Sequence, residues 1–179
     1  MEEEEGGIVK LVSKEGDVHE VPLGVAKMST LIATTIGDDD DDDDDDEEEL
    51  MDREIPLPNV KSEVLAKVIE YCVHYTMEEP MEPIQTPLKS SKIEDLVQPW
   101  YADFVKVEQS LLFELTTAAN FMDVKPLLDL SCLAVSVSIK GKTAAELRDM
   151  FNINVFSPEE EAQVREESQW TKNDSSTNE

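Results

Sequence analysis

Residues 121–133 read FMDVKPLLDLSCL. Set on a helix from Val124 to Ile139 at about 100° per residue, the apolar side chains do not keep to one side. Val124, Leu127, Leu128, Cys132, Val135 and Ile139 span one arc, and Leu130, Leu133, Ala134 and Val137 span much of the rest. Only a narrow band with Lys125, Asp129, Ser136 and Lys140 is polar. Such a helix either lies wholly inside a domain or divides itself between its own domain and a second chain. Each large aliphatic side chain buried is worth about 1.5–3 kcal/mol, so leaving several in water would drive self-association, with a homodimer of the partner-free chain as its simplest form. The preceding stretch Glu108–Met122 has the same character, with Leu111, Leu112, Phe113, Leu115, Ala118, Ala119 and Phe121 around more than one face.

Working outward, Ile8–Val12 and Val18–Val21 flank Glu15-Gly16-Asp17 and predict an antiparallel hairpin. Leu23–Ile36 has helical spacing and is expected to be one helix ended by Gly37. Ile55-Pro56-Leu57-Pro58 suits a short edge strand, because proline cannot donate to a ladder. Asn59 is expected to cap a helix carrying Val60, Val64, Leu65, Val68, Ile69, Cys72 and Val73. Pro80, Pro83 and Pro87 make residues 77–92 a flexible insert, and Ile93–Val105 reads as a helix with Trp100 and Phe104 packed four apart. Thr143-Ala144-Ala145-Glu146 is a capping-box pattern, and Ser157-Pro158-Glu159-Glu160 adds proline at a first helical position. Residues 151–156, FNINVF, form an apolar connector, and residues 171–179 read as a disordered tail.

The 179 residues carry a formal charge of −27, of which twelve charges lie in Asp38–Glu49 and four in Glu2–Glu5. Without those two runs −11 remains, ordinary for a folded domain with 40% hydrophobic residues. The insert 37–52, with like charges repelling over about 8–10 Å, is expected to be extended and solvated. It lacks the internal glycine and apolar residue of a calcium-binding helix–loop–helix. So acidic a chain repels phosphate backbones and anionic lipid, which argues against nucleic-acid or membrane binding. No apolar run reaches the roughly 18 residues of a membrane span and no secretory leader is evident, so cytoplasmic and nuclear residence is expected. Cys72 and Cys132 fall inside apolar patterns without CxxC spacing and are expected to be buried, reduced thiols. His19 and His74 are far apart and read as surface or half-buried residues. No nucleotide-loop, nucleophile-elbow or zinc-protease motif occurs, so no catalytic, cofactor or metal residues are assigned and the chain is not expected to be an enzyme.

LFELTTAANFMDVKPLLDLSC (112–132), SIKGKTAAELRDMFNI (138–153) and PEEEAQVREESQW (158–170) resemble the S-phase kinase-associated adaptor family. Members of that family are the F-box-binding adaptor subunits of SCF cullin-RING ubiquitin ligases. VPLGVAKMS (21–29), IPLPNV (55–60) and PWYADFVKV (99–107) agree with it, so the resemblance runs from Ile8 to Trp170. It implies an α+β class, a BTB/POZ fold with a small sheet and a C-terminal helical extension. The corresponding organisation is a disordered acidic N-terminus (1–7), a BTB/POZ domain (8–139) with inserts 37–52 and 77–92, F-box-binding helices (140–170) and the tail. The implied partners are F-box proteins and a cullin, the RING subunit being reached indirectly.

Carried over by position, Asn120 and Phe121 resemble the Asn-aromatic pair that meets the cullin, with Phe121 where relatives often have Tyr. Phe113, Leu128, Cys132, Val135, Ile139, Phe151, Asn152, Ile153 and Trp170 resemble the F-box-facing set. The resemblance thus gives the second apolar arc an occupant. Thr116-Thr117 replaces a usually aliphatic pair, a change expected to thin the core or weaken cullin docking. Pro126 stands where relatives have Gly, tolerable near a helix start. Ala144 replaces a proline hydroxylated in some lineages, which excludes that regulation here. Two other readings remain: an elongin-C-like adaptor for another receptor box, whose relatives generally stop near the BTB domain, and an acidic histone chaperone working through Asp38–Glu49.

Overall fold

Period-two alternation turns Val9 and Leu11 of β1 (Ile8–Val12) inward, and Val21 of β2 (Val18–Pro22) joins them on the inner face. The strands pair antiparallel, Val9 opposite Val21 and Leu11 opposite His19. Gly16, at φ +90°, turns the hairpin where a side chain would be strained. Ser13 holds the same turn, donating its N–H to the Asp17 carbonyl at 2.9 Å and accepting the Asp17 N–H on Oγ at 3.1 Å. β3 (Glu54–Pro56) pairs parallel to β1, giving the order β2-β1-β3 and leaving Pro56 on an edge strand as expected.

The computed structural model describes residues 7–36, 54–153, 157, 159, 160 and 162. The acidic insert 37–52, Gly37 as a helix stop, Trp170 and the 171–179 tail lie outside the described residues.

The single helix expected over 23–36 is two: α1 (Leu23–Ala26) and α2 (Thr30–Ile36). Ser29 breaks it, because its hydroxyl serves the chain better at a cap than inside a turn. Its Oγ accepts the Ile32 N–H at 3.2 Å and donates to the Met122 carbonyl, 93 residues on. α3 (Ser62–Met77) is the expected helix, but Asn59 does not cap it. The first-turn N–H of Ser62 instead donates to Glu15 Oε2 at 2.8 Å, and Lys14 N–H donates to the Val60 carbonyl at 2.8 Å. The hairpin tip thus supplies the cap from across the sequence.

After α3 the chain runs irregularly to residue 92, but its start is pinned. Met81 is buried against the Tyr71 hydroxyl at 3.8 Å, the Tyr101 hydroxyl donates to the Glu79 carbonyl, and Gln98 bonds both the Pro80 carbonyl and the Glu82 N–H. The helix expected over 93–105 is likewise interrupted. A 3-10 turn (Ile93–Asp95) is followed by extended Gln98 and α4 (Pro99–Phe104), since Pro99 fits a first turn but not a helix interior. Trp100 and Phe104 stack as expected, ring centroids 5.1 Å apart at 17°. His74 departs from expectation: it is 7% exposed, stacked on Trp100 at 3.7 Å, with Nδ1 2.8 Å from Glu78.

α5 (Gln109–Phe121), α6 (Lys125–Ile139) and α7 (Ala144–Met150) complete the described elements. The core joins Val9, Leu11, Val21 and Ile55 of the sheet to Leu65, Val68 and Tyr71 of α3, Leu115 and Ala119 of α5, and Leu127 and Leu130 of α6. The chain divides into two compact units, Met1–Ser138 and Ile139–Glu179.

Replacing Ser29 by alanine removes one helix cap and one buried tether. The expected cost is about 1–3 kcal/mol, read as a lower denaturant midpoint with an unchanged slope.

Candidate partner-binding surfaces

α6 resolves its two apolar arcs unequally. Leu127, Leu130 and Ser131 are fully sealed and Ala134 is buried beside them, within about 100° of helix circumference. Ser131 tolerates burial because its hydroxyl donates to the Leu128 carbonyl at 3.0 Å. Leu128 and Val135 stand at the margin of this arc, packed against the core yet half-buried. Cys132, between them, is exposed rather than buried as expected, because it falls at the edge of the polar band with Lys125, Asp129 and Ser136. Leu127 therefore belongs with Leu130 and Ala134, not with the strip Leu128–Cys132–Val135. Pro126, the second residue of α6, sits where its missing N–H has no intrahelical partner to lose.

Asn120 and Phe121 occupy the last turn of α5, where the helix closes in a Schellman motif. Val124 N–H reaches the Ala119 carbonyl at 2.9 Å, Asp123 N–H reaches the Asn120 carbonyl at 3.2 Å, and Asp123 takes φ +51°. Thr30 N–H and Oγ1 each donate to the Asp123 carbonyl at 3.3 Å, so the start of α2 holds this corner together with Ser29. Asn120 is exposed there, and Phe121 is half-buried against the core. Thr116 is half-buried and Thr117 exposed, and their hydroxyls donate back to the Leu112 and Phe113 carbonyls at 2.8 and 2.9 Å. Neither lies in the buried core, which corrects the expectation of a thinned interior. Phe113, two turns before Asn120 on α5, is half-buried.

The second unit begins at Ile139. Ile139, the last residue of α6, is half-buried. α7 opens with the expected capping box: Glu146 N–H donates to Thr143 Oγ1, and Thr143 N–H donates to Glu146 Oε2 at 2.7 Å. The Thr143 backbone N–H and hydroxyl, both donating to this carboxylate, hold it below its ordinary value, the backbone N–H contributing most. α7 ends in another Schellman turn, with Ile153 N–H on the Arg148 carbonyl at 2.9 Å and Asn152 N–H on the Asp149 carbonyl at 3.2 Å. Asn152, at φ +51°, thus has a backbone role, and it sets Phe151 and Ile153 at 40% and 50% exposure. Trp170 lies outside the described residues.

Sequence reasoning missed Ser29 and Asp123 as the residues that fix the Asn120–Phe121 corner. Ser29 before an apolar periodic run was a readable cap signal, whereas an aspartate in left-handed backbone leaves no such mark.

A three-stranded sheet backed by helices, followed by a helix displaying a strip beside its buried arc, defines an α+β BTB/POZ-type domain with C-terminal helices. Residues 7–77 match the tetramerisation domain of the Skp1 family, and residues 125–171 match its dimerisation domain. The S-phase kinase-associated protein 1 homolog of Tetrahymena thermophila is 45% identical over 164 residues, covering 90% of this chain and 92% of that protein. The SCF ubiquitin ligase complex protein SKP1a of Dictyostelium discoideum is 43% identical over 164 residues, covering 91% and 94%. SKP1-like protein 1A of Arabidopsis thaliana is 43% identical over 163 residues, covering 90% and 95%. The chain belongs to the Skp1 family. Phe113, Asn120 and Phe121 fall between the two matched domains, and Leu128, Cys132, Val135, Ile139 and residues 151–153 fall inside the second.

The two thiols should separate cleanly in the native chain. Burial pushes the Cys72 thiol up to about 12, so little thiolate forms there at neutral pH, while Cys132 is open to reagent. A disulfide-exchange dye should titrate Cys132 rapidly and Cys72 only after denaturant is added.

Proposed function

We infer that this chain is the adaptor subunit of an SCF-type ubiquitin ligase, bridging F-box substrate receptors to a cullin scaffold, with the RING subunit reached through the cullin. It works by binding, not by catalysis. The observation that carries the reading is the division of α6: an arc sealed by the chain's own core, and beside it the half-buried Leu128 and Val135 flanking exposed Cys132. Such a strip suits an amphipathic partner helix laid in a groove, where a few apolar anchors supply most of the affinity. Phe113, Ile139, Phe151, Asn152, Ile153 and Trp170 belong to the same receptor-facing set in this reading. Membership of the Skp1 family, and relatives named as SCF complex proteins, support it.

Cullin docking is assigned to Asn120 and Phe121. Their support is geometric: an exposed amide beside a half-buried ring, on a corner tied to α2 by Ser29 and Thr30. A held corner loses little freedom on binding, which favours a protein contact there.

The test separates the two surfaces. Leu128→Lys with Val135→Lys should weaken F-box binding by at least about a hundredfold while cullin capture persists. Asn120→Lys with Phe121→Lys should do the reverse. Equal loss of both partners in either variant, with an unchanged denaturation midpoint, would contradict the two-surface account.

A further inference from the structure

β2 is an edge strand, and the register tells which of its main-chain groups are taken. Leu23 N–H donates to the Gly7 carbonyl at 2.7 Å and Ser13 N–H to the Asp17 carbonyl at 2.9 Å, so Asp17, His19, Val21 and Leu23 turn their main chain toward β1. Val18 and Glu20, lying between them, turn N–H and C=O the other way, to the open edge. Neither has a hydrogen bond or ion pair to fill those groups among the described residues. The alternation holds across the sheet, since the Val12 carbonyl, opposite Val18, accepts from Leu57 N–H beyond β3 at 2.7 Å. Pro22 ends the open run, with no N–H to offer and a place at the start of α1.

Side chains on the outward face stand in cross-strand rows. Val18, 51% exposed, lies opposite Val12, which lies opposite Pro56. In the next row Glu20 lies opposite Lys10, and Lys10 opposite Glu54. We propose that the open edge of β2 takes an extended basic segment of another protein as an antiparallel fourth strand, with a lysine or arginine opposite Glu20 and a β-branched residue opposite Val18. The N–H and C=O groups of Val18 and Glu20 supply the ladder, and the rows supply the selectivity. A cation opposite Glu20 continues the alternation of sign from Glu54 through Lys10, whereas an anion would stand directly against a carboxylate. An apolar side chain opposite Val18 extends the Pro56–Val12–Val18 row and covers surface now in water.

Charge chooses among the occupants. A second copy would bring another chain of net −27 against this one, and the acidic runs Glu2–Glu5 and Asp38–Glu49 carry the same sign as the edge. Glu20 and Pro22 thereby guard the edge against self-pairing while leaving it open to a basic strand. Neither the Leu128–Val135 strip nor the Asn120–Phe121 corner contributes a residue, so the site does not depend on the adaptor reading.

The probe is a short fluorescent peptide in which threonine alternates with valine, a central lysine and valine, titrated with the full-length chain and read by anisotropy. Saturable binding is expected. Replacing the central lysine by glutamate should weaken it by about tenfold or more, and Glu20→Lys in the chain should reverse that preference. The reversal isolates the edge, because one substitution barely alters the overall charge. Methylating the peptide nitrogens that face β2 leaves the protein untouched and should also weaken binding by about tenfold or more. No saturable binding, equal binding of a scrambled peptide, or a preference for lysine that survives Glu20→Lys would overturn the proposal. So would self-association of the chain that the peptide displaces, which would put a second copy on the edge.

Discussion

Leu127 and Leu130 lie fully sealed beneath α6, and that contact governs how the rest of the molecule presents itself. A helix with apolar residues around much of its circumference could rotate to bury several alternative sets. Committing the Leu127–Leu130–Ser131–Ala134 arc to the core removes that freedom. Leu128 and Val135 then fall at the margin, Cys132 outside it, and Asp129 and Ser136 in solvent. Burial worth about 1.5–3 kcal/mol per large side chain on the sealed arc outweighs the smaller loss at the margin. The strip is therefore a by-product of good packing on the adjacent face.

Turn geometry does the rest of the positioning. The ends of α5 and α7 both close in Schellman motifs around a residue in left-handed backbone, Asp123 in one and Asn152 in the other. In the first, the turn aims Asn120 outward while Ser29 and Thr30 hold its last carbonyls. In the second, Phe151 and Ile153 flank the turn with much of their surface in water. Neither turn uses glycine, whose place is taken by side chains that tolerate the conformation. Residues with a backbone task and residues open to a partner are thus neighbours, and substitutions at Asn152 will mix the two effects.

The hairpin, the edge strand with Pro56, the α5 and α6 spans and the Thr143 capping box were legible because each rests on local periodicity or a short capping pattern. What was not legible depends on residues distant in sequence. Asn59 is a good local cap, but Glu15 reaches the α3 terminus first because the hairpin folds back beside it. The continuous apolar spacing of Leu23–Ile36 hides a break that Ser29 makes by bonding Met122. His74 reads as a surface or half-buried residue until Trp100 is brought over its ring. The candidate surfaces were legible chiefly through family resemblance. Periodicity showed too much apolar surface on α6 but assigned Leu127 to the wrong arc.

Methyl-resolved NMR of the full chain, with leucine and valine methyls labelled and an F-box domain titrated in, reads the sealed arc and the strip separately. The account predicts shifts at Leu128 and Val135 with Leu127 and Leu130 nearly unmoved. Shifts spread evenly over all four, or absent from Leu128 and Val135 while the F-box domain binds, would contradict it.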